Sequence, residues 1–529
     1  MRRAGIRGGP TPGAVLLGSC TAALLAAAVL SGCAVGPDYH TPRVATPEHF
    51  DAVRQASAQG GGPLQTAPSS IALARWWQSL GDPQLDALID HAVTSNPDAI
   101  EALDRLQAAR IYEAGLTGVV LPLADASGAY GTGTGSDLTR GRANAPLVSS
   151  DNTHSLTNVN AIGGFDAVWE IDVFGKFRRE IEQARYATQA TADARNAVLV
   201  SVIADVARAY VDLRGLQLRD TVLHSASDAL TQGLNIATQR YQRGITNELD
   251  LTLAKRELAS VQAQIPIIEA QMNAGEYTIA TLLGEYPEDL VGTLSKPSMI
   301  PALPAGISTG MPLDLLRRRP DVQEAERDIA RANARIGIAT AELFPEFIAT
   351  GAIGFQQGSL AGAALGQHIW SAGPGAIWPL LDFGQLDAQV QIANVATQAA
   401  LENYKATIEQ AVRQVDTAVA QLTAAEASLR SLSDALVAAQ RAVTLANQRY
   451  NRGLTDYLNV VEAERAEYTI EEQYASTQAS IDDQFIQLYR DLGGGWQQFQ
   501  NIPAISRPVP AIVAIFKDTL ARRDPLKSP

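Results

Sequence analysis

Arg240-Tyr241-Gln242-Arg243-Gly244-Ile245-Thr246 returns as Arg449-Tyr450-Asn451-Arg452-Gly453-Leu454-Thr455, one motif written twice at an offset of 209 residues. Trp169, Phe174 and Gly175 return at the same offset as Trp378, Phe383 and Gly384. Two separate motifs sharing one offset mean that the stretch between them is duplicated without insertion. Upstream, Asn96-Pro97-Asp98 matches Arg319-Pro320-Asp321 and Leu121-Pro122 matches Phe344-Pro345, both at an offset of 223. The offsets 223 and 209 differ by 14 residues, so the first half holds that much extra chain between Pro122 and Trp169, a segment that reads as a variable loop.

Each repeat has the same order of elements. A helical pattern (Pro97 to Leu121; Pro320 to Leu343) ends at Pro122 or Pro345. Two alternating strands follow, the second closing at Trp and Phe-Gly. Phe165, Ala167, Trp169, Ile171 and Val173 share one face and Asp166, Glu170 and Asp172 the other, the period of a half-buried strand. Phe347, Ala349, Gly351, Ile353 and Phe355 alternate in the same way. Then come very long helical segments, Lys176 to Arg243 and Gln385 to Arg452, the second without Gly or Pro and the first with only Gly215 and Gly233. At the helical rise each spans roughly 100 Å, which points to coiled-coil packing. Gly244 and Gly453 break these helices, and helical runs return over Ile245 to Leu283, with Pro266 inside it, and Leu454 to Leu492. Each half is a hairpin of long helices.

The rest of the chain sets the compartment. Arg2, Arg3 and Arg7 precede the apolar stretch Ala14 to Leu30, which reads as an export signal. Leu30-Ser31-Gly32-Cys33 resembles the lipobox of bacterial lipoproteins, so Cys33 is the expected site of lipid attachment, and Ala34 after it suggests passage to the outer membrane. The only cysteines, Cys20 and Cys33, lie in the first 33 residues, so the body has no disulfide framework. With 529 residues, 46% hydrophobic, the chain folds, and its net charge of −14 without a basic cluster disfavours nucleic acid. Beyond Cys33 no apolar run is long enough to span a bilayer as a helix, so any crossing uses β-strands. Four strands per chain are too few for a membrane barrel, which needs about eight. Three chains pooling twelve leave room for a pore. The expected fold is therefore an α+β membrane protein, internally duplicated, that trimerises into a β-barrel with a helical barrel beside it.

These residues match a known family. The chain resembles the TolC-like outer-membrane efflux proteins, in the lipoprotein branch often called the NodT or OprM type. The resemblance is carried by Gly36-Pro37-Asp38-Tyr39, Trp76-Trp77, Asp82-Pro83-Gln84-Leu85, Arg318-Arg319-Pro320-Asp321-Val322, the two Phe-Gly strand ends and Leu488-Tyr489-Arg490-Asp491-Leu492-Gly493-Gly494-Gly495-Trp496. It implies a homotrimer with a twelve-stranded barrel, anchored in outer-membrane lipid, that docks with a periplasmic membrane-fusion adaptor and an inner-membrane transporter of the resistance-nodulation-division type. No cofactor is implied beyond the covalent N-terminal lipid. On this reading residues 1–32 are signal, 33–95 an anchored N-terminal segment, 96–295 the first repeat, 296–312 a Pro-rich connector, 313–495 the second repeat and 496–529 a C-terminal tail, equatorial or disordered.

A conduit through the outer membrane has to close at its periplasmic end, which the helix turns at Gly244 and Gly453 mark. Leu458, Glu462 and Arg465 are spaced by four and three and share a helix face, and threefold assembly makes each a ring. The resemblance places a Leu ring and an acidic ring there, and pairs an acid, here Asp250, with Tyr450 of the other hairpin. Tyr241 and Tyr450 also suit simple helix packing. Trp169, Phe174, Trp378 and Phe383 read as membrane-interface aromatics. No nucleophile elbow, His-Glu-x-x-His or P-loop is present, and the histidines are scattered, so the chain reads as a non-enzyme without a metal site. Other readings are a conduit for metal-ion efflux or type I secretion, or a non-conducting envelope scaffold. Only four methionines are present, which gives soft-metal handling no support.

Overall fold

A computed structural model describes residues 34–45, 47, 50–58, 64–65, 73–134, 157–290, 294–296, 298–301, 303, 307–308, 318–360 and 363–500. Cys33, the signal segment, most of the 296–312 connector and residues 501–529 lie outside the described residues. The principal elements are α1 (Asp51–Ala58), α2 (Pro83–Ser95), α3 (Pro97–Leu116), β1 (Leu123–Thr134), β2 (Thr157–Ile171), α4 (Lys176–Gln242), α5 (Glu248–Gln262), α6 (Ile265–Leu283), α7 (Pro320–Ala341), β3 (Glu346–Leu360), β4 (Ala363–Ile377), α8 (Gln385–Asn451) and α9 (Tyr457–Asp491). The returning helix of the first repeat is split into α5 and α6, where the second repeat has the single helix α9. Pro266 causes the split: it donates no amide proton and its ring crowds the carbonyl four residues back.

The chain forms two compact units, one drawn from residues 1–44, 108–191 and 324–406, the other from 45–107, 192–323 and 407–529. The first holds a four-stranded antiparallel sheet in the order β1-β2-β3-β4. Its middle pairing, β2 with β3, joins the two repeats. One cross-strand row is Ala126, Phe165, Ile353 and Trp370, and the adjacent row is Asp125, Asp166, Ala352 and Ser371. One face is therefore apolar and the other polar, as alternation predicts, and Phe165, Ile353 and Trp370 are 66%, 65% and 78% exposed on it. A greasy outward face with a wet opposite face is what a lipid-facing, lumen-lining sheet requires.

The start of the described chain is a strap across this unit. Val35 donates its amide to Phe174 O at 3.0 Å. The buried Arg179 donates to Val35 O at 3.2 Å and to Asp38 Oδ1 at 2.9 Å, and Asn333 donates to Pro37 O at 2.8 Å. Gly36, at φ +89°, crosses Gly337 of α7 so closely that a Cβ on it would lie 2.5 Å from Gly337 Cα. The Gly-Pro-Asp-Tyr segment is thus held as a strap by one cation and two glycines. Ala34, the residue after Cys33, lies against Gly175 at the end of the second strand of the repeat.

In the helical unit the scattered sequence motifs become one core. Trp76 and Trp77 are 1% exposed, Trp76 stacks on Tyr489 at 5.6 Å, and Gly494 packs beneath Trp76. Asp82 caps α2 by accepting from the amides of Gln84 and Leu85, and accepts the Tyr210 hydroxyl at 2.5 Å. Arg319 donates to Asp321 at 2.7 Å, to Gln414 at 2.8 Å and to Asp491 O at 2.5 Å. Between α4 and α9, Arg208 pairs with Asp483, Arg219 with Glu472 and Arg490 with Asp205. The two glycines inside α4 let α9 approach: Gly215 faces Ala479, and Gly233 faces the Tyr457 hydroxyl.

Gly36→Ala is expected to lower the thermal midpoint of the detergent-solubilised protein by several degrees, because the added methyl meets backbone at a positive φ, at a cost on the order of 1–3 kcal/mol. Gly118→Ala, whose Cβ enters open space, is expected to leave it unchanged in the same circular-dichroism melt.

Candidate functional site

The two hairpin ends are built alike. Gly244 and Gly453 sit at φ +71° and +72°. Gly244 donates to Tyr241 O and Ile245 to Arg240 O, while Gly453 donates to Tyr450 O and Leu454 to Arg449 O, all at 2.9 Å. This is a Schellman termination, and the left-handed residue it needs is glycine in both repeats. Below it, Ala237, Ala254, Tyr450, Tyr457, Val460 and Val461 form a small core contributed by α4, α5, α8 and α9.

Tyr450 is the centre of that core. It is 2% exposed, its ring lies 5.1 Å from that of Tyr457, and the Arg240 guanidinium sits 4.4 Å above it. Arg240 also donates to Tyr450 O at 3.2 Å. The Tyr450 hydroxyl is buried, and burial together with the nearby Asp250 charge pushes it up. Arg240 covers the ring and draws Asp250 electrostatically, while burial and the neighbouring Asp456 push the Asp250 carboxyl up. The cation over the ring joins the two hairpins. Tyr241, the repeat counterpart of Tyr450, is 40% exposed. Leu458, Glu462 and Arg465 lie exposed along α9, while Tyr457, Val460 and Val461 of the same turns are buried.

The strand ends are also built alike. The Trp169 indole donates to Val120 O at 3.0 Å and the Trp378 indole to Leu343 O at 3.1 Å. Each tryptophan thereby ties the end of its repeat's second strand to the end of the preceding helix. Trp169 is half-buried and Trp378 is 55% exposed. Phe174 stacks on Phe344 at 4.5 Å, whereas its counterpart Phe383 is 96% exposed at φ +53°.

Residues 131–285 and 311–494 match the family described as outer membrane efflux protein. The chain belongs to the outer membrane efflux protein family. It is 28% identical to "Nodulation protein T" of Rhizobium leguminosarum bv. trifolii, over 83% of this chain and 89% of that protein. It is 27% identical to "Toluene efflux pump outer membrane protein TtgF" of Pseudomonas putida, over 90% of this chain and 96% of that one. The solved outer-membrane channel OprN superposes with a TM-score of 0.77 at 31% identity, covering 88% of this chain and all (100%) of that one. This efflux protein is thus an outer-membrane channel of a Gram-negative efflux pump and not an enzyme, with the TolC-like α+β duplicated fold.

Sequence reasoning missed three groups of this efflux protein. Arg240 stands in the repeated motif, but its place over Tyr450 depends on how α4 meets α8. Arg179 carries no motif. Glu464 of α9 is the third: burial, opposed by a hydrogen bond from Asn447 of α8 and reinforced by Glu467 and Glu257, pushes its carboxyl up to about 7, and its Oε2 has no partner. A carboxyl raised on folding stabilises the fold while protonated and loses that contribution as pH climbs from the ordinary glutamate range through 7. Glu464→Gln is therefore expected to stabilise the fold at pH 8 by on the order of 1 kcal/mol, seen as a higher melting temperature by circular dichroism, and to have no effect at pH 4.

Proposed function

We propose that this efflux channel works as a lipid-anchored homotrimer, acylated at Cys33, whose twelve strands form the barrel and whose hairpins form a periplasmic helical tube. It receives cargo from an inner-membrane transporter of the resistance-nodulation-division type through a periplasmic adaptor. Relatives named for toluene and solvent efflux support small apolar molecules as its cargo. The chain supplies passage and closure, and the partners supply energy and selection.

The gate is the end of α9. What carries this reading is the division of the first turns of one helix: Tyr457, Val460 and Val461 are locked in the hairpin core, and Leu458, Glu462 and Arg465 are left exposed beside them. Brought together by threefold symmetry, Leu458 narrows the tube apolarly and Glu462 adds an acidic ring that holds cations at the constriction. Arg240, clamped over Tyr450, and the nearby Asp250 hold the adjacent hairpin ends closed. Opening then means releasing that clamp while the Schellman turns at Gly244 and Gly453 keep their shape.

Ion conductance in planar lipid bilayers tests this. Wild-type protein is expected to show small, mostly closed events, and Leu458→Ala combined with Glu462→Ala larger or longer openings. Silence from both, in folded trimeric protein, would favour a non-conducting scaffold.

A further inference from the structure

Next to the sheet, the end of α3, the start of α4 and the helix α7 lie side by side as a wall, and its two faces are built differently. Thr188 of α4 donates to Ala109 O of α3 at 3.3 Å, and on its other flank α4 meets α7, where a Cβ on Gly337 would lie 2.7 Å from Arg179 Cγ. One face of the wall carries the strap. Asn333 and Gly337 of α7 hold Pro37 and Gly36, Glu326 accepts the Tyr39 hydroxyl at 3.3 Å, and Tyr39 packs edge-on against Tyr186 of α4 at 5.8 Å. The other face holds a cavity of about 410 Å³ that all three helices line. Its arginines, Arg331 and Arg335, stand roughly 160° round α7 from the positions that bear the strap.

Two observations put the cavity on the wet side of this wall. Lys176 lies 3.9 Å from Glu170 and 3.0 Å from Glu346, both on the polar face of the sheet. The same ammonium draws the Glu180 carboxyl of the cavity, against the burial that pushes that carboxyl up. The polar face of the sheet therefore continues into the cavity. On the reverse face the strap leads to Ala34, next to the cysteine expected to carry lipid. A wall with its anchor on one face and its polar continuation on the other turns the cavity toward the inside of the tube.

The lining has a cationic part and an apolar part. Arg331 and Arg335 are four residues apart on α7 and so stand one above the other. Arg331 pairs with Asp328 of its own helix at 3.1 Å, an exposed pair that a ligand can displace, and Arg335 makes no hydrogen bond or ion pair among the described residues. From α3 come Tyr112, its ring 66% exposed, and the half-buried Leu116, and Ala184 of α4 lies buried at the floor. We propose that this cavity is a transit subsite for amphipathic organic anions, whose carboxylate bridges Arg331 and Arg335 while the ring-bearing body lies on Tyr112, Leu116 and Ala184. The proposal rests on the channel reading above for the cavity's place in the tube, and it adds a charged cargo class with its own site to the apolar cargo proposed there. A guanidinium presents a fork of donors that matches a carboxylate, and two of them beside apolar surface select an anion with a greasy body over a neutral or cationic one. Glu180 and Asp328 offset part of the positive charge, which keeps binding weak, as a conduit requires if cargo is to leave again.

Saturation-transfer NMR on the detergent-solubilised protein at pH 8 reads the site, with naphthoate as the anion and naphthylmethanol and naphthylmethylammonium as its neutral and cationic matches. Naphthoate is expected to bind more tightly than either match, and Arg335→Gln to weaken it by roughly fivefold, the scale of one exposed charge-assisted contact. Glu180→Gln, which removes a like charge from the cavity, is expected to tighten naphthoate binding, a gain that damage to the fold does not produce. Equal binding of the three compounds, naphthoate binding indifferent to Arg335→Gln in protein with an unchanged circular-dichroism melt, or no tightening with Glu180→Gln overturns the site. Current in planar bilayers through the channel opened by Leu458→Ala with Glu462→Ala reads its position. Naphthoate is expected to reduce that current, and to reduce it less once Arg335→Gln is added. A current that naphthoate leaves untouched, in protein that binds it, puts the cavity outside the tube and overturns the transit role. Absence of any current overturns the channel reading instead, and the NMR series still decides the site.

Discussion

A strand edge in hydrocarbon has nowhere to send its amides and carbonyls, and that constraint governs this protein. The protomer offers lipid a four-stranded sheet with one apolar face, and such a sheet must close on itself or on copies of itself. Duplication is the economical answer. Within one chain the joint between β2 and β3 already pairs a strand of one repeat with a strand of the other. In both repeats the second strand runs into a long helix, α4 or α8, through a Phe-Gly corner, and each corner is braced by an indole bonded to a helix-end carbonyl.

The motifs that identify the family are mostly structural. Trp76, Trp77, Asp82, Arg319 and the run Leu488 to Trp496 come from the beginning, middle and end of the chain and meet in one core. Arg319 illustrates the economy: a planar cation with a fork of donors satisfies a carboxylate, a side-chain amide and a backbone carbonyl at once. Likewise the Gly-Pro-Asp-Tyr segment is a strap, and its glycine is demanded by the crossing with Gly337. These residues hold the frame in which passage and closure take place.

The hairpin ends carry the mechanical part. Their turns are alike, with hydrogen bonds repeated to the same length in both repeats, whereas the contacts below them are unequal. Tyr450 is buried under Arg240 and its counterpart Tyr241 is half-exposed. An arrangement that is symmetric in backbone and asymmetric in side chains can hold one joint of the tube while another moves. The raised carboxyl of Glu464 adds a buried acid to the same helix, so the packing near the hairpin end weakens as that group ionises.

The sequence by itself determined the duplication, the alternation of the strands, the lengths of α4 and α8 and the glycine turns that end them. These are local or periodic properties: a helix of that length needs only an unbroken run, and a half-buried strand needs only period two. It also located Leu458, Glu462 and Arg465 on one face, since helical spacing alone does that. Only the tertiary structure decided that Tyr450 lies beneath Arg240, that Arg179 pins the strap, and that Phe174 is covered while Phe383 is bare. Each of those outcomes depends on which element meets which across hundreds of residues. Identical motifs in two repeats carry no mark of whether their partner lies in the same chain or in the next copy.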